Sequence, residues 1–534
     1  MPDTPVDNRA AQAAALSGAR VARAALLVMV AYVASGVLGL VRQMLLGATY
    51  GATLELDAFM AATRVPELLF NLIAGGALGS AFIPVFTGYL THGEHESAWR
   101  LAGTVFSLLM IVSTALAALT YALAPQVVQV ALLPGDTPDK QWLAVNLLRV
   151  MLSTVVIFGA SGLLMGILNA HQHFWRPAFA MSMYNLGIIG GVVFLTPWLG
   201  IYGVAWGTVI GALLHLGIQL PHLRRIDARW RPSLNLQTPG VLKVLLLMGP
   251  RILGQAVVQI NFVVITAFTS FMVDGAQVSV ITAFTLMFTV LGVLGQSIGT
   301  AVFPTLSALA ADEDWAAFRR TLAGTARSVL FLAVPATVGL IVLAEPLVRV
   351  LFERGEWQPA ATAGTAWALQ FFALGLAGHA LLEILARSFY ALHDTWTPVL
   401  VGVVTMAINF GLDVVLIRVV GEPGSLARGP FAGLALAMSL ATMLEAGTLW
   451  WLLRRRVGGL EDGRVWALAW RALLAAGVMG AAVRGVAALL ASSALLTLLA
   501  GVLVGGVVYF GLTVLLRLEE ALTVPRVVLR KLGR

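Results

Sequence analysis

Four polar side chains interrupt the apolar run "DAFMAATRVPELLFNLIAGG", residues 57–76. Asp57, Arg64 and Asn71 are seven apart and Glu67 is three beyond Arg64, so a helix places all four on one face. The device recurs further along the chain. In "GPRILGQAVVQINF", Arg251, Gln255 and Gln259 are spaced by four, as are His379, Glu383 and Arg387 in "GHALLEILARSFY". Arg42 in "SGVLGLVRQ" adds a cation, and Asn409 and Asp413 stand one turn apart in "INFGLD". Guanidinium forks match phosphate oxygens and amides hydrogen-bond sugar or peptide, so the set suits an anionic, sugar-bearing ligand. The Asn409/Asp413 pair is the candidate site for a coupling ion.

The elements that must position these groups are membrane spans. The chain has 534 residues, 59% hydrophobic and only 11% charged, with mean hydropathy +0.89. A soluble domain carries about 25% charged residues. Apolar runs of about 20 residues, each able to cross a ~30 Å hydrocarbon core as a helix, recur from Arg23 to Leu516. No alternating pattern favours a barrel. The reading is an all-α polytopic membrane protein with about fourteen spans, near 24–47, 57–90, 98–123, 141–170, 177–199, 202–222, 241–271, 277–309, 319–343, 361–391, 397–419, 430–453, 465–490 and 493–516. The N-terminus, with its acidic, polar lead-in, does not read as a cleaved signal peptide, and the first span is expected to be retained.

Charge distribution orients the spans. Arginines gather in the N-terminal tail, in the 224–240 linker, at Arg454, Arg455 and Arg456, and in the C-terminal tail. The alternate loops have few charges: the first offers only Glu55 and the seventh only Asp274. The positive-inside rule then places both termini in the cytoplasm, consistent with an even span count. The net charge of +8 has this topological origin and gives no case for nucleic acid. Absence of cysteine excludes disulfide and thiolate chemistry.

The chain also repeats. "LAPQVVQVAL" from Leu123 resembles "LAEPLVRVLF" from Leu343, and "AFIPVF" at Ala81 resembles "AVFPTL" at Ala301, both 220 apart. "NAHQHFWRP" from Asn169 resembles "YALHDTWTP" from Tyr390 at an offset of 221. One period holds six spans, which gives two parallel-related six-helix lobes plus a C-terminal helix pair. The expected divisions are a tail at 1–23, an N-lobe at 24–223, a basic linker at 224–240, a C-lobe at 241–456, the added pair at 457–517 and a basic tail at 518–534.

A charge near a span end can snorkel to the interface, which would account for Arg42, Arg387, Arg418 and Asp57 singly, and Arg64 and Glu67 can neutralise each other. Arg327 and Arg484 stand alone and read as anchors. Aligned stripes are harder to dismiss, because a centred Arg or Asp costs roughly 2.5–3.5 kcal/mol and normally faces a bundle interior or wet cavity. A hydrated cavity lined by Arg42, Arg64, Glu67, Asn71, Arg251, Gln255 and Gln259 is therefore expected. Gly36, Gly39, Pro66, Gly75, Gly76, Pro250 and Gly254 interrupt the same spans and fit hinges. No P-loop, HExxH or hydrolase arrangement is present, so the expectation is a transporter and not an enzyme.

These residues carry a family resemblance. "GLVRQMLLGATYGATLELDAFMAATRVPELLFNLIAGGALGSAFIPVF", "GPRILGQAVVQIN", "GTAVFPTLS", "VRVLFERGEW" and "SFYALHDTWTPVLVG" resemble signatures of the MurJ (MviN) lipid II flippases of the multidrug/oligosaccharidyl-lipid/polysaccharide exporter superfamily. The resemblance implies fourteen helices, alternating access, and movement of undecaprenyl-pyrophosphate disaccharide-pentapeptide from the inner to the outer leaflet for peptidoglycan synthesis. It also implies that the last two helices hold the lipid tail. It maps family cavity residues onto Arg42, Asp57 and Arg64. No cofactor is implied; a sodium ion, a proton or the membrane potential would drive transport, with cell-wall synthesis enzymes as candidate partners. Family arginines are replaced at Gly36, Phe70 and Thr285, and an acidic residue at Gly75. The competing readings are a flippase for another lipid-linked oligosaccharide, a cation-coupled multidrug exporter, and a non-transporting scaffold.

Overall fold

The computed structural model describes residues 7–73, 76–223, 226 and 231–521. Hydrocarbon leaves backbone groups no water to bond, so apolar runs this long close their hydrogen bonds internally as helices. The long helices are α1 (Asp7–Tyr50), α2 (Leu54–Ile73), α3 (Gly76–Thr91), α4 (His95–Ala122), α5 (Pro138–Met151), α6 (Ser153–Ala170), α7 (Trp175–Gly190), α8 (Ile201–Gly217) and α9 (Val241–Thr269). They continue with α10 (Ala276–Leu291), α11 (Ser297–Ala311), α12 (Trp315–Phe352), α13 (Pro359–Leu374), α14 (Leu376–Ala391), α15 (Trp396–Val419), α16 (Phe431–Val457), α17 (Asp462–Leu489) and α18 (Ala494–Leu515). No strand occurs among the described residues.

Among the described residues, twelve stretches are long and apolar enough to cross a membrane, and the α13–α14 pair, bent by 46°, makes a thirteenth. The remaining expected span, 57–90, falls on α2, α3 and residues 74–75, which lie outside the described residues. Glu55, Asp57, Arg64 and Glu67 make α2 too charged to count by composition. The figure of fourteen is therefore approximate.

The repeat is visible in the backbone. Gly93 and Glu313 have φ of 77° and 55°, Gln172 and His393 60° and 58°, and Gly200 and Gly421 56° and 84°. Each pair is separated by 220 or 221 residues, so the left-handed turns between helices recur at the period of the sequence. Pro84 inside α3 and Pro304 inside α11 follow the same spacing.

The chain forms two compact units, Met1–Thr49 with Ala58–Val263, and Tyr50–Asp57 with Val264–Arg534. In the first, α7 and α8 meet backbone to backbone. A Cβ on Gly187 would lie 2.2 Å from Gly211 Cα, so only glycine allows this approach. In the second, the chain bends at Gly375, and Ser439 on α16 donates its hydroxyl to the Phe371 carbonyl at 2.7 Å, satisfying an acceptor that the bend frees. The C-terminal pair packs on α12: Leu330, Phe331, Leu343, Met479, Val483 and Tyr509 form one buried cluster, and Tyr509 donates to the Phe331 carbonyl at 2.7 Å. Gly501 belongs to this seam, since a Cβ there would meet Leu343 at 2.8 Å, so its role is packing.

Candidate functional site

In the first unit, Arg42 Nη1 on α1 donates to Asn185 Oδ1 on α7 at 3.0 Å. Asn185, only 5% exposed, also donates from Nδ2 to the Ser35 carbonyl at 3.2 Å. One amide therefore fixes both the α1 backbone and the direction of its arginine. The neighbouring Tyr184 lies within electrostatic range of Glu67 and Arg42, so α1, α2 and α7 contribute to one polar locus.

Arg64 and Glu67 share a face as their spacing requires. Arg64 Nη1 donates to Glu67 Oε2 at 3.1 Å, and the guanidinium stands 5.3 Å from the Phe262 ring centroid on α9. The pair is asymmetric: the arginine side chain is 12% exposed and the glutamate 48%. The cation is recessed beneath its carboxylate and held by an aromatic face, an arrangement that orients it without burying its counter-charge. The Nε atoms of Arg42 and Arg64 have no hydrogen-bond partner among the described residues. Asn71, Gln255 and Gln259 are half-buried. The side chain of Arg251 lies outside the described residues.

Asp57 does not join this stripe. Its Oδ2 accepts from Gly275 N–H at 2.7 Å and its Oδ1 from Val278 N–H at 2.9 Å, and it is 1% exposed. Gly275 opens α10 with φ 87°, and a Cβ there would lie 2.5 Å from the Ala52 carbonyl oxygen, so the capping position has no side chain of its own. Asp57 caps that helix from a distance in sequence, where a carboxylate also complements the helix dipole.

In the second unit, Thr405, Asn409 and Asp413 form a buried polar line along α15. Glu445 on α16, a residue that the sequence pattern does not single out, meets the Thr405 hydroxyl. The span-10 stripe has structural partners: His379 pairs with Thr442 at 3.3 Å, and Arg387 pairs with Glu383 and with its carbonyl at 2.8 Å. Arg327 is not alone, contrary to expectation, because Glu519 and Glu520 reach it at 3.4 and 3.2 Å. In the turn before α15, burial works against the ionised form of Asp394, but the Thr397 N–H and hydroxyl and the Arg456 guanidinium outweigh it and hold the carboxyl below its usual range. No group of three or more His, Asp or Glu able to hold a metal occurs among the described residues.

The family model "Lipid II flippase MurJ" matches residues 46–508. The chain belongs to the MurJ family. The lipid II flippase MurJ of Burkholderia cenocepacia is 31% identical over 430 residues, covering 79% of this chain and 81% of that one. A probable lipid II flippase MurJ of Vibrio cholerae is 31% identical over 473 residues, covering 86% and 88%. A solved lipid II flippase MurJ in an inward closed conformation shares the fold, with TM-score 0.76 at 24% identity over 95% of this chain and 100% of that one.

Membership in the MurJ family gives the departures a physical reading. Phe70 packs against Phe158 with ring centroids 4.6 Å apart, and the Thr285 hydroxyl donates to the Ile281 carbonyl at 2.8 Å. Phe70 is thus turned to packing between helices, and the Thr285 hydroxyl to a bond within its own helix. A Cβ added at Gly36 would meet no atom within 4 Å, so this position faces open space, and Gly75 lies outside the described residues. Asn185 and Tyr184 were invisible to sequence reasoning because "SMYNLGIIGG" holds no polar period.

Proposed function

We propose that this chain is a lipid II flippase, moving the undecaprenyl-pyrophosphate disaccharide-pentapeptide between leaflets by alternating access. The family match over residues 46–508 carries the reading, and the recessed guanidinium pair, Arg42 and Arg64, supports it chemically. Arg42, Arg64 and Arg251 bind pyrophosphate oxygens, and Glu67 orients Arg64. Asn71, Gln255 and Gln259 hydrogen-bond sugar or peptide. Asp57 acts from its cap on α10, holding the start of that helix. The polyprenyl tail stays with lipid or along α17 and α18. Asn409 and Asp413, with Thr405 and Glu445 in line, hold the coupling sodium ion or proton.

Transport proceeds by a lobe-rocking step, with both termini in the cytoplasm, as the distribution of arginines supports. Native mass spectrometry of the detergent-purified protein tests the reading. A co-purifying polyprenyl-pyrophosphate disaccharide-peptide is expected, and a different lipid-linked glycan in its place would overturn it.

A further inference from the structure

The motif "LAGTVFS", residues 101–107 on α4, returns as "LAGTARS", residues 322–328 on α12, at an offset of 221. The first copy is a seat for extended chain. Residues 231–240, which lead into α9, run across it as a strap. A Cβ on Gly103 would lie 2.1 Å from the Arg231 carbonyl oxygen, so only glycine lets the strap approach this closely. Ser107 donates its hydroxyl to the Gly103 carbonyl and accepts from Ser233 N–H at 3.1 Å, and the Thr104 and Thr238 hydroxyls meet at 3.3 Å. The strap ends against α3, where a Cβ on Gly240 would lie 3.0 Å from Val85.

The second copy carries the same parts. Thr325 and Ser328 donate to the Thr321 and Gly324 carbonyls at 2.8 and 3.0 Å, as Thr104 and Ser107 donate to those of Arg100 and Gly103. Each hydroxyl keeps a lone pair that can accept a backbone N–H, as Ser107 does. Its surroundings differ, however. A Cβ on Gly324 would meet no atom within 4 Å, and Thr325 is half-buried and Ser328 exposed where Thr104 is fully buried under the strap. Gly324, Thr325 and Ser328 line a cleft of about 670 Å³, and its α11 wall includes Thr305, which matches Val85 at a spacing of 220.

The end of α18 indicates what the second seat holds. Leu518 and Ala521 are 4% and 1% exposed, and between them Glu519 and Glu520, both paired with Arg327, line the cleft. Residues 522–534, outside the described residues, therefore begin at the edge of the seat. The charges of the lining balance, Arg320 and Arg327 against Glu519 and Glu520, so hydroxyls, an open glycine and apolar side chains are left to select the occupant. The segment "LTVPRVVLRKLGR" suits them. In extended chain alternate residues share a side, which groups Thr523, Pro525, Val527 and Leu529 and sets Arg526 and Arg530 opposite. Residues 523–529 can span roughly 23 Å, against about 18 Å along α12 from Arg320 to Leu332. We propose that residues 523–529 dock in extended form on Gly324, Thr325 and Ser328, as the strap before α9 docks on Gly103, Thr104 and Ser107. Docked there, the segment fastens the C-terminal helix pair to α12. The inference does not depend on the proposed transport activity.

The chain has no cysteine, so engineered pairs report the docking directly. Thr321→Cys, in the cleft wall beside the seat, is combined singly with Pro525→Cys, Arg526→Cys, Val527→Cys, Val528→Cys or Leu529→Cys in the full chain in lipid nanodiscs. Disulfide formation is then followed under mild oxidation. A disulfide needs Cα atoms about 4.4–6.8 Å apart, so a docked segment should link at least about tenfold faster at one of Pro525, Val527 and Leu529 than at its immediate neighbours. Gly324→Leu, whose Cβ would meet no atom within 4 Å, should keep the melting temperature near the parent's and flatten that preference. Uniform rates along the segment, no linkage at any position, or a preference that Gly324→Leu leaves unchanged overturns the proposal. So does a phospholipid, counted by native mass spectrometry, that the parent retains and Gly324→Leu releases, since lipid then fills the cleft.

Discussion

Replacing Asn185 tests whether Arg42 acts by charge alone or by aim. The Asn185 amide, 5% exposed, accepts from Arg42 at 3.0 Å and ties α1 to α7. A hydrogen bond to a charged group contributes roughly 1.5–3 kcal/mol, and loss of an orienting bond forfeits part of that, so Asn185→Ala should weaken lipid II binding about tenfold. Arg42→Ala removes the cation itself and should lower affinity by about one to two decades. The decisive variant is Asn185→Asp. A carboxylate at that position strengthens the grip on Arg42 but neutralises it, and it sets an acceptor against the Ser35 carbonyl where the amide donated, so melting temperature should fall somewhat while affinity falls at least as far as in Asn185→Ala. Binding is read by titrating lipid II in native mass spectrometry, and stability by thermal melts. In the Arg42→Ala background, Asn185→Ala should cost little more, because the group it aims is gone. The reasoning fails if Asn185→Asp binds lipid II like the parent, or if the two alanine effects add in full.

Arg64→Ala should lower lipid II affinity by about one to two decades with the fold intact, and Arg64→Lys should rescue it only in part because the planar fork is lost. Undiminished binding and flipping by Arg64→Ala would separate this guanidinium from the pyrophosphate. Asp413→Asn should abolish any rise in melting temperature on adding sodium; an unchanged rise would move the ion elsewhere. Asp57→Asn weakens the charged cap on α10 and should destabilise by about 0.5–2 kcal/mol, read as a lower melting temperature. Asp394 has a folded pKa below its unfolded value of about 3.9, so its contribution is complete above that pH and is lost as pH falls through the folded pKa. Arg456→Gln should therefore shrink the stability lost below about pH 4, and identical acid melts for both proteins would count against the pairing.

Much of this molecule follows from one-dimensional information. Length and apolarity of the runs dictate spanning helices, since hydrocarbon allows no other way to satisfy so many backbone groups. The period of 220 residues is readable as text and returns as left-handed turns at Gly93 and Glu313, and at Gln172 and His393. Helical spacing was enough to pair Arg64 with Glu67 and Glu383 with Arg387, because neighbours three or four apart share a face whatever surrounds them. Spacing says nothing about which helix a face meets, and there the tertiary structure decided. Asp57 matched the stripe of Arg64 by sequence, yet its carboxylate caps a helix 218 residues away, because the glycine that opens α10 has no side chain to do so. Arg42 depends on an asparagine 143 residues distant, and Arg327 on glutamates beyond α18. Each is a contact between separate helices whose low-dielectric surroundings require every charge to find a partner. The sequence lists the charges, and only the packing of helices assigns the partners.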